Sequence, residues 1–218
     1  MKQLNLFIEL TRLKKPIGFM LLFWPCAWGL TLAYDFSNDL NYYFFYLTLF
    51  FLGSVLMRSA GCIVNDILDK EFDKKVSRTK NRPIASGKIS IKLGLTYVIF
   101  LCFIALLVLL NFNTYTVMLA LGSMPLAFSY PLMKRYTYWP QLFLIICYLV
   151  FIISLIGVGL LMKFNTMFYI FILVPFFHLF FYQIYNFDFK DSKSSLKVFK
   201  SNNLLGVIIL FNILIGKV

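Results

Sequence analysis

Asn65-Asp66-Ile67-Leu68-Asp69-Lys70-Glu71-Phe72-Asp73 follows directly on the apolar run from Phe50 to Val64, and this junction decides how the chain is read. Acidic side chains are costly in or against a bilayer, so three aspartates at the end of an apolar run call for a counter-charge. Asp66, Asp69 and Asp73 are spaced by three and four residues, so a helix continuing past Val64 projects all three from one side. Asn65 adds a neutral amide oxygen beside them. A hard cation such as Mg²⁺ binds through one or two carboxylates, completed by water and substrate phosphate oxygens, and a sparse array of this kind meets that need. A solvated helix end balanced by Lys70, Lys74 and Lys75 fits the same spacing, and both readings stay open on spacing alone.

Outward from this junction the chain is apolar almost throughout. Its 218 residues are 61% hydrophobic and 14% charged, with 26 phenylalanines, and the mean hydropathy is +0.81. One soluble core of this size cannot hide so much apolar surface, so a polytopic, all-α integral membrane protein is expected. Apolar segments at 16–34, 43–64, 92–111, 114–132, 141–162, 166–187 and 203–216 predict about seven helices in one transmembrane bundle, the last being short. No secretory signal is read: residues 1–15 are polar and basic, and the run 16–34 is long enough to span. The four cysteines lie in or beside apolar runs without CxxC spacing, which is the pattern of packing residues.

The net charge of +12 is distributed by loop. Basic residues crowd the N-terminus (Lys2, Arg12, Lys14, Lys15), the 65–91 connection, the 133–140 connection (Lys134, Arg135) and the 188–202 connection (Lys190, Lys193, Lys197, Lys200). The intervening connections carry Asp35, Asp39 and Lys163. By the positive-inside rule this alternation places the N-terminus and the charged loops in the cytoplasm. It reads as membrane topology, and no nucleic-acid partner is expected.

Three further features carry chemistry. Arg58 sits inside the apolar run, two helical turns before Asn65, and a guanidinium there must find an anion in the protein or in a substrate. Arg78-Thr79-Lys80-Asn81-Arg82-Pro83 offers two guanidinium groups close in sequence to the carboxylates. Such forks match phosphate oxygens, and arginines beside a metal neutralise a departing diphosphate; a basic loop facing anionic lipid is the plainer alternative, and Arg12, Lys134 and Arg135 admit the same two readings. His178, the single histidine, is expected to be a hydrogen-bonded residue between helices.

Several motifs together resemble the UbiA-type membrane prenyltransferases and, within them, the bacterial 4-hydroxybenzoate polyprenyltransferases of ubiquinone synthesis. They are Arg12-Leu13-Lys14-Lys15-Pro16-Ile17-Gly18 with Leu22-Phe23-Trp24-Pro25, then Met57-Arg58-Ser59-Ala60-Gly61-Cys62, then Asn65 through Asp73. Arg78-Thr79-Lys80-Asn81-Arg82-Pro83-Ile84-Ala85-Ser86-Gly87 and Tyr130-Pro131-Leu132-Met133-Lys134-Arg135-Tyr136-Thr137 follow in the family's order. The resemblance implies a multi-pass protein of the bacterial inner membrane with its active site toward the cytoplasm. It implies that Asn65, Asp69 and Asp73 hold Mg²⁺ against a polyprenyl diphosphate, with Asp66 beside them, and that Arg78, Arg82 and Lys134 take up charge on the departing diphosphate. Arg58 would orient the carboxylate of 4-hydroxybenzoate, whose ring is alkylated ortho to the phenol. Arg12, Tyr130 and Arg135 fall on substrate-binding positions.

One departure stands out. The family has nine helices and a second aspartate-rich motif, whereas this sequence has seven apolar segments. Phe181-Tyr182-Gln183 and Leu196 through Gly206 look like the family's C-terminal region, which predicts a single domain over 1–218 shortened internally after about residue 141. The alternative is a displaced second motif at Asp188 and Asp191. A shortened relative that binds prenyl diphosphate or quinone precursors without turnover, or works with a partner, is the competing function; a coupled transporter is disfavoured because its ion site belongs near the midplane.

Overall fold

The computed structural model describes residues 2–133, 140–188 and 191–217. It is helical, with no strand among the described residues. The elements are α1 (Lys2–Thr11), α2 (Ile17–Ala33), α3 (Leu40–Leu68), α4 (Lys70–Lys75), α5 (Ile91–Leu109), α6 (Thr114–Met133), α7 (Pro140–Leu161), α8 (Thr166–Phe171), α9 (Leu173–Phe177), a π-helical stretch (His178–Gln183), α10 (Ile184–Asn186) and α11 (Ser192–Lys217). Each of the seven apolar segments is therefore helical. Leu40–Leu68, Ile91–Leu109, Thr166–Asn186 and Lys193–Lys217 are long and apolar enough to cross a membrane, and Ile17–Ala33 and Ile145–Leu161 are shorter apolar helices. This is the architecture of a multi-pass, all-α membrane protein.

Two compact units make up the chain, Met1–Phe23 with Phe44–Arg135, and Trp24–Tyr43 with Tyr136–Val218. In the first, Leu10, Ala60, Ile63, Ile84, Ile89 and Leu101 form the core, drawn from α1, α3, α5 and the loop after α4. Ile84 is fully buried and Ile89 nearly so. They anchor a loop closed by short turns, with Arg82 N–H donating to the Thr79 carbonyl at 2.9 Å and Ile89 N–H to the Pro83 carbonyl at 3.0 Å. Gly87 takes φ +76°, a left-handed conformation that a side chain disfavours. Ser90 then caps α5 by accepting from Leu93 N–H.

The second unit packs Ile152, Leu155, Phe164, Phe168, Ile172, Leu179, Leu205, Ile209 and Ile213 around a fully buried Phe168. Several polar groups inside it are matched to one another. Trp24 Nε1 donates to Asn203 Oδ1 at 2.6 Å and Trp28 Nε1 to the Gly206 carbonyl at 2.9 Å. Gln183, fully buried, accepts from Tyr148 and donates to Asn202 Oδ1 at 2.6 Å. Lys217 Nζ donates to the carbonyls of Thr31, Leu32 and Tyr34, which belong to the end of α2 and the residue just beyond it.

Two expectations change. The last helix starts at Ser192 and not near 203, because Asp191 caps it and its first turns stay helical while carrying lysines that hydropathy counts as loop. His178 does not bond across helices. Its Nε2 is buried without a hydrogen-bond partner among the described residues, and its ring stacks on Tyr182 at 5.2 Å.

Candidate functional site

The junction of α3 and α4 is almost one helix. Asp69 N–H donates to the Asn65 carbonyl at 2.9 Å and Asp73 N–H to the Asp69 carbonyl at 2.8 Å, so the hydrogen-bond ladder runs through the bend that Asp69 carries at φ −90°, ψ 6°. Asp66 and Asp73, seven residues apart, meet at one guanidinium. Arg82 Nη1 lies 2.7 Å from Asp73 Oδ2 and 3.2 Å from Asp66 Oδ1. Arg12 Nη2 approaches Asp66 Oδ1 at 2.6 Å. The Asp66 side chain is 3% exposed and that of Asp73 is 11% exposed, which makes this a buried ionic network and not a solvated helix end.

The surroundings hold these groups in place. Arg12 follows α1 in the left-handed region, φ 57°, a conformation costing a non-glycine residue on the order of 1–3 kcal/mol and sustained by its bond to Asp66. Thr79, buried, donates from Oγ1 to the Asp73 carbonyl at 3.0 Å and ties the Arg82 loop to α4. Glu71 lies outside the network on the exposed side: its hydrogen bond from Lys74 Nζ, at 2.7 Å, holds its carboxyl below the ordinary range.

Arg58 is half-buried on α3 and makes no ion pair among the described residues. Its guanidinium lies over Gly18 of α2, where a β-carbon would stand 2.6 Å from Nε. Only glycine leaves that room.

The other expected site residues divide. Asn65 and Asp69 are half-buried at the bend, and Arg78 is exposed on the loop. Tyr130 falls within the span of α6, while Lys134 and Arg135 lie outside the described residues. Asp191 accepts from the N–H groups of Lys193 and Ser194 at 2.9 and 3.1 Å, so both of its oxygens cap α11. The Asp188 backbone closes the same turn, its N–H donating to Ser194 Oγ and its carbonyl accepting from Ser195 Oγ. The residues that sequence reasoning passed over are Gly18 and Thr79. Both lie inside the motif stretches, but neither type carries charge to flag it.

The donor set admits a divalent cation. Arg82 places a positive group between two carboxylates, which is where a metal would sit, and the available atoms are hard oxygens suited to Mg²⁺. No group of three or more His, Cys, Asp or Glu is placed to hold a metal among the described residues. A Mg²⁺ ion that draws its remaining ligands from water and phosphate oxygens does not require one.

Comparison with known proteins bears on this geometry. A 4-hydroxybenzoate octaprenyltransferase of Hydrogenovibrio crunogenus is 43% identical over 143 residues, 66% of this chain and 49% of that protein. A 4-hydroxybenzoate geranyltransferase of Lithospermum erythrorhizon is 48% identical over 66% of this chain and 45% of its own length. A 4-hydroxybenzoate octaprenyltransferase of Pseudomonas fluorescens is 47% identical over 63% and 45% respectively. The chain thus spans about half the length of the curated relatives it matches. A solved structure concerning digeranylgeranylglyceryl phosphate synthase in membranes shares the fold, with a TM-score of 0.66 and 17% identity, covering 99% of both chains. Residues 22–153, which run through α3, the acidic junction and the Arg82 loop, match the UbiA prenyltransferase family, and the chain belongs to that family.

Proposed function

We propose that this chain transfers a polyprenyl group from polyprenyl diphosphate to the 3-position of 4-hydroxybenzoate, in a Mg²⁺-dependent reaction at the cytoplasmic face of a bacterial inner membrane, as a step of ubiquinone synthesis. The observation that carries the reading is the buried Arg12–Asp66–Arg82–Asp73 network, where cationic and anionic groups converge at one membrane-helix end. The identity to 4-hydroxybenzoate prenyltransferases across that segment supports the choice of acceptor.

In this reading the allylic C–O bond breaks with both electrons leaving on the diphosphate. The ring carbon ortho to the phenol attacks the allylic cation, and the ring proton then leaves to water or a site carboxylate. A Mg²⁺ ion, when bound, would neutralise diphosphate oxygens. Asp66 and Asp73 would hold it together with Asn65 and Asp69. Arg82 and Arg12, released from the carboxylates as that charge is met, would turn to phosphate oxygens, with Arg78 and Lys134 adding to the cationic field. Arg58 would bind the benzoate carboxylate, the anion that a half-buried guanidinium without a carboxylate partner among the described residues requires. Gly18 would leave that fork free to turn.

The test is formation of 3-polyprenyl-4-hydroxybenzoate by purified protein in lipid, with and without Mg²⁺. Product that depends on Mg²⁺ and disappears in Asp69→Ala is expected. No product above background would sink the enzyme reading, and retained prenyl-diphosphate affinity would then point to a binding protein.

A further inference from the structure

The second unit holds a cleft of about 640 Å³ that the chemistry above does not use, lined by Phe177, His178, Phe181, Tyr182, Tyr185 and Asn186 on one wall and Ser201 and Leu204 on the other. Its volume lies within the roughly 300–1,000 Å³ typical of ligand clefts. One wall includes the π-helical stretch His178–Gln183. A π-turn is uncommon inside a membrane-spanning helix and often marks a functional position. His178 stacks on Tyr182 at an interplanar angle of 22° and Phe177 lies against Phe181 at 5.2 Å, so the wall is a continuous aromatic surface.

The polar end of the cleft is built. Lys197 Nζ donates to Asn186 Oδ1 at 3.0 Å and stands 5.9 Å from the Tyr182 ring centroid, which puts an ammonium at the mouth. Lys193, Lys197 and Ser201 recur every four residues on α11, and the same helix face continues to Leu204 within the cleft. Asp191, the nearest acid in sequence, has both oxygens engaged by backbone N–H groups. The cleft is thus apolar and aromatic along its length, cationic at its mouth, and part of helices long and apolar enough to cross a membrane.

We propose that this cleft binds one anionic phospholipid of the surrounding bilayer, with an acyl chain along the Phe177–Phe181–Tyr182 wall and the headgroup phosphate on Lys197. Charge complementarity selects this occupant. The Lys197 ammonium at the mouth matches an anionic headgroup, whereas a zwitterionic headgroup brings its own cation to the same place. A diphosphate would ask for the several guanidinium groups that the first unit holds and this mouth lacks among the described residues.

The experiment is native mass spectrometry of the full chain released from detergent, with phosphatidylglycerol or phosphatidylcholine of matched chains added. Preferential retention of phosphatidylglycerol by about fivefold is expected, as one lysine near an anionic surface contributes. Lys197→Gln should reduce it to the phosphatidylcholine level and Lys197→Arg should retain it. Leu204→Trp, filling the cleft, should lower retention of both lipids. Thermal unfolding of each variant separates lost binding from lost structure, and Lys197, being exposed, is a site where the fold survives. Equal retention of the two lipids, or unchanged retention in Lys197→Gln, overturns the proposal. Displacement of the lipid by farnesyl diphosphate overturns it as well, because the cleft would then be a substrate site. Loss of prenyl transfer in Asp69→Ala leaves lipid retention unaffected, so the two readings fail separately.

Discussion

Replacing Arg82 with alanine removes the cation that Asp66 and Asp73 share among the described residues. The structure gives the size of the effect. Asp73, 11% exposed, has Arg82 as its ion-pair partner among the described residues, whereas Asp66 keeps Arg12 at 2.6 Å. Breaking a buried pair from one side costs about 3–5 kcal/mol. Arg82 itself is 28% exposed, so water enters the gap and the lower end, about 3 kcal/mol, applies. For a chain of this length that corresponds to a fall in Tm of roughly 6–12 °C. Arg82→Lys, a point charge able to reach one carboxylate well, should lose about half as much. A double-mutant cycle with Asp73→Asn should show coupling of about 2 kcal/mol, since the neutral partner no longer needs the guanidinium. Mg²⁺ should restore part of the lost Tm in Arg82→Ala by meeting the exposed pair of carboxylates, with little effect on the unaltered protein. Thermal unfolding in detergent or nanodiscs reads all four. A fall below about 2 °C, or strict additivity in the cycle, would refute the idea that these carboxylates rely on Arg82.

Three further predictions rest on separate contacts. Gly18→Val should displace Arg58, whose Nε lies 2.6 Å from the new β-carbon, and raise KM for 4-hydroxybenzoate at least tenfold with a smaller change in kcat, measured by product formation against acceptor concentration. Gly206→Ala should cost about 1–3 kcal/mol in thermal unfolding, because its β-carbon would stand 2.3 Å from Trp24 Cδ1 and strain the Trp24–Asn203 bond. Asp191→Ala should lose about 1 kcal/mol of cap energy and leave prenyl transfer unchanged, whereas abolished transfer with the fold intact would restore Asp191 as part of a displaced acidic motif.

The helices were legible in the sequence because hydropathy is a property of composition and the spans are long. The boundaries were less so. Lys193, Lys197 and Lys200 read as loop although they are the first turns of α11, since charge marks the limit of apolar surface and not the end of a hydrogen-bonded ladder. At the acidic junction, spacing predicted that three aspartates share a side if the helix ran on. The ladder does run on through the bend at Asp69, and Asp66 and Asp73 meet at Arg82. A backbone bend and a partner sixteen residues downstream are tertiary facts that no helical wheel contains. Arg12 was legible as a basic residue and not as the counter-ion of Asp66, because that bond depends on a left-handed turn after α1.

The self-pairing of the acidic site bears on how such a site persists in a membrane. Two nearly buried carboxylates at a helix end would otherwise repel one another. Arg82 and Arg12 place positive charge against them and offset that repulsion in the absence of a metal. The same guanidinium groups are what a diphosphate needs. In the proposed reaction, binding therefore exchanges partners: carboxylates pass from arginine to cation, and arginines pass from carboxylate to phosphate, with little change in the number of satisfied charges. An exchange of this kind predicts cooperativity between the two ligands, because either alone leaves one class of group unpaired. Titrating prenyl-diphosphate affinity against Mg²⁺ should show at least a tenfold gain that shrinks in Arg82→Gln. A gain of the same size in that variant would mean that the metal acts on the substrate alone and that the pairing seen here has no part in binding.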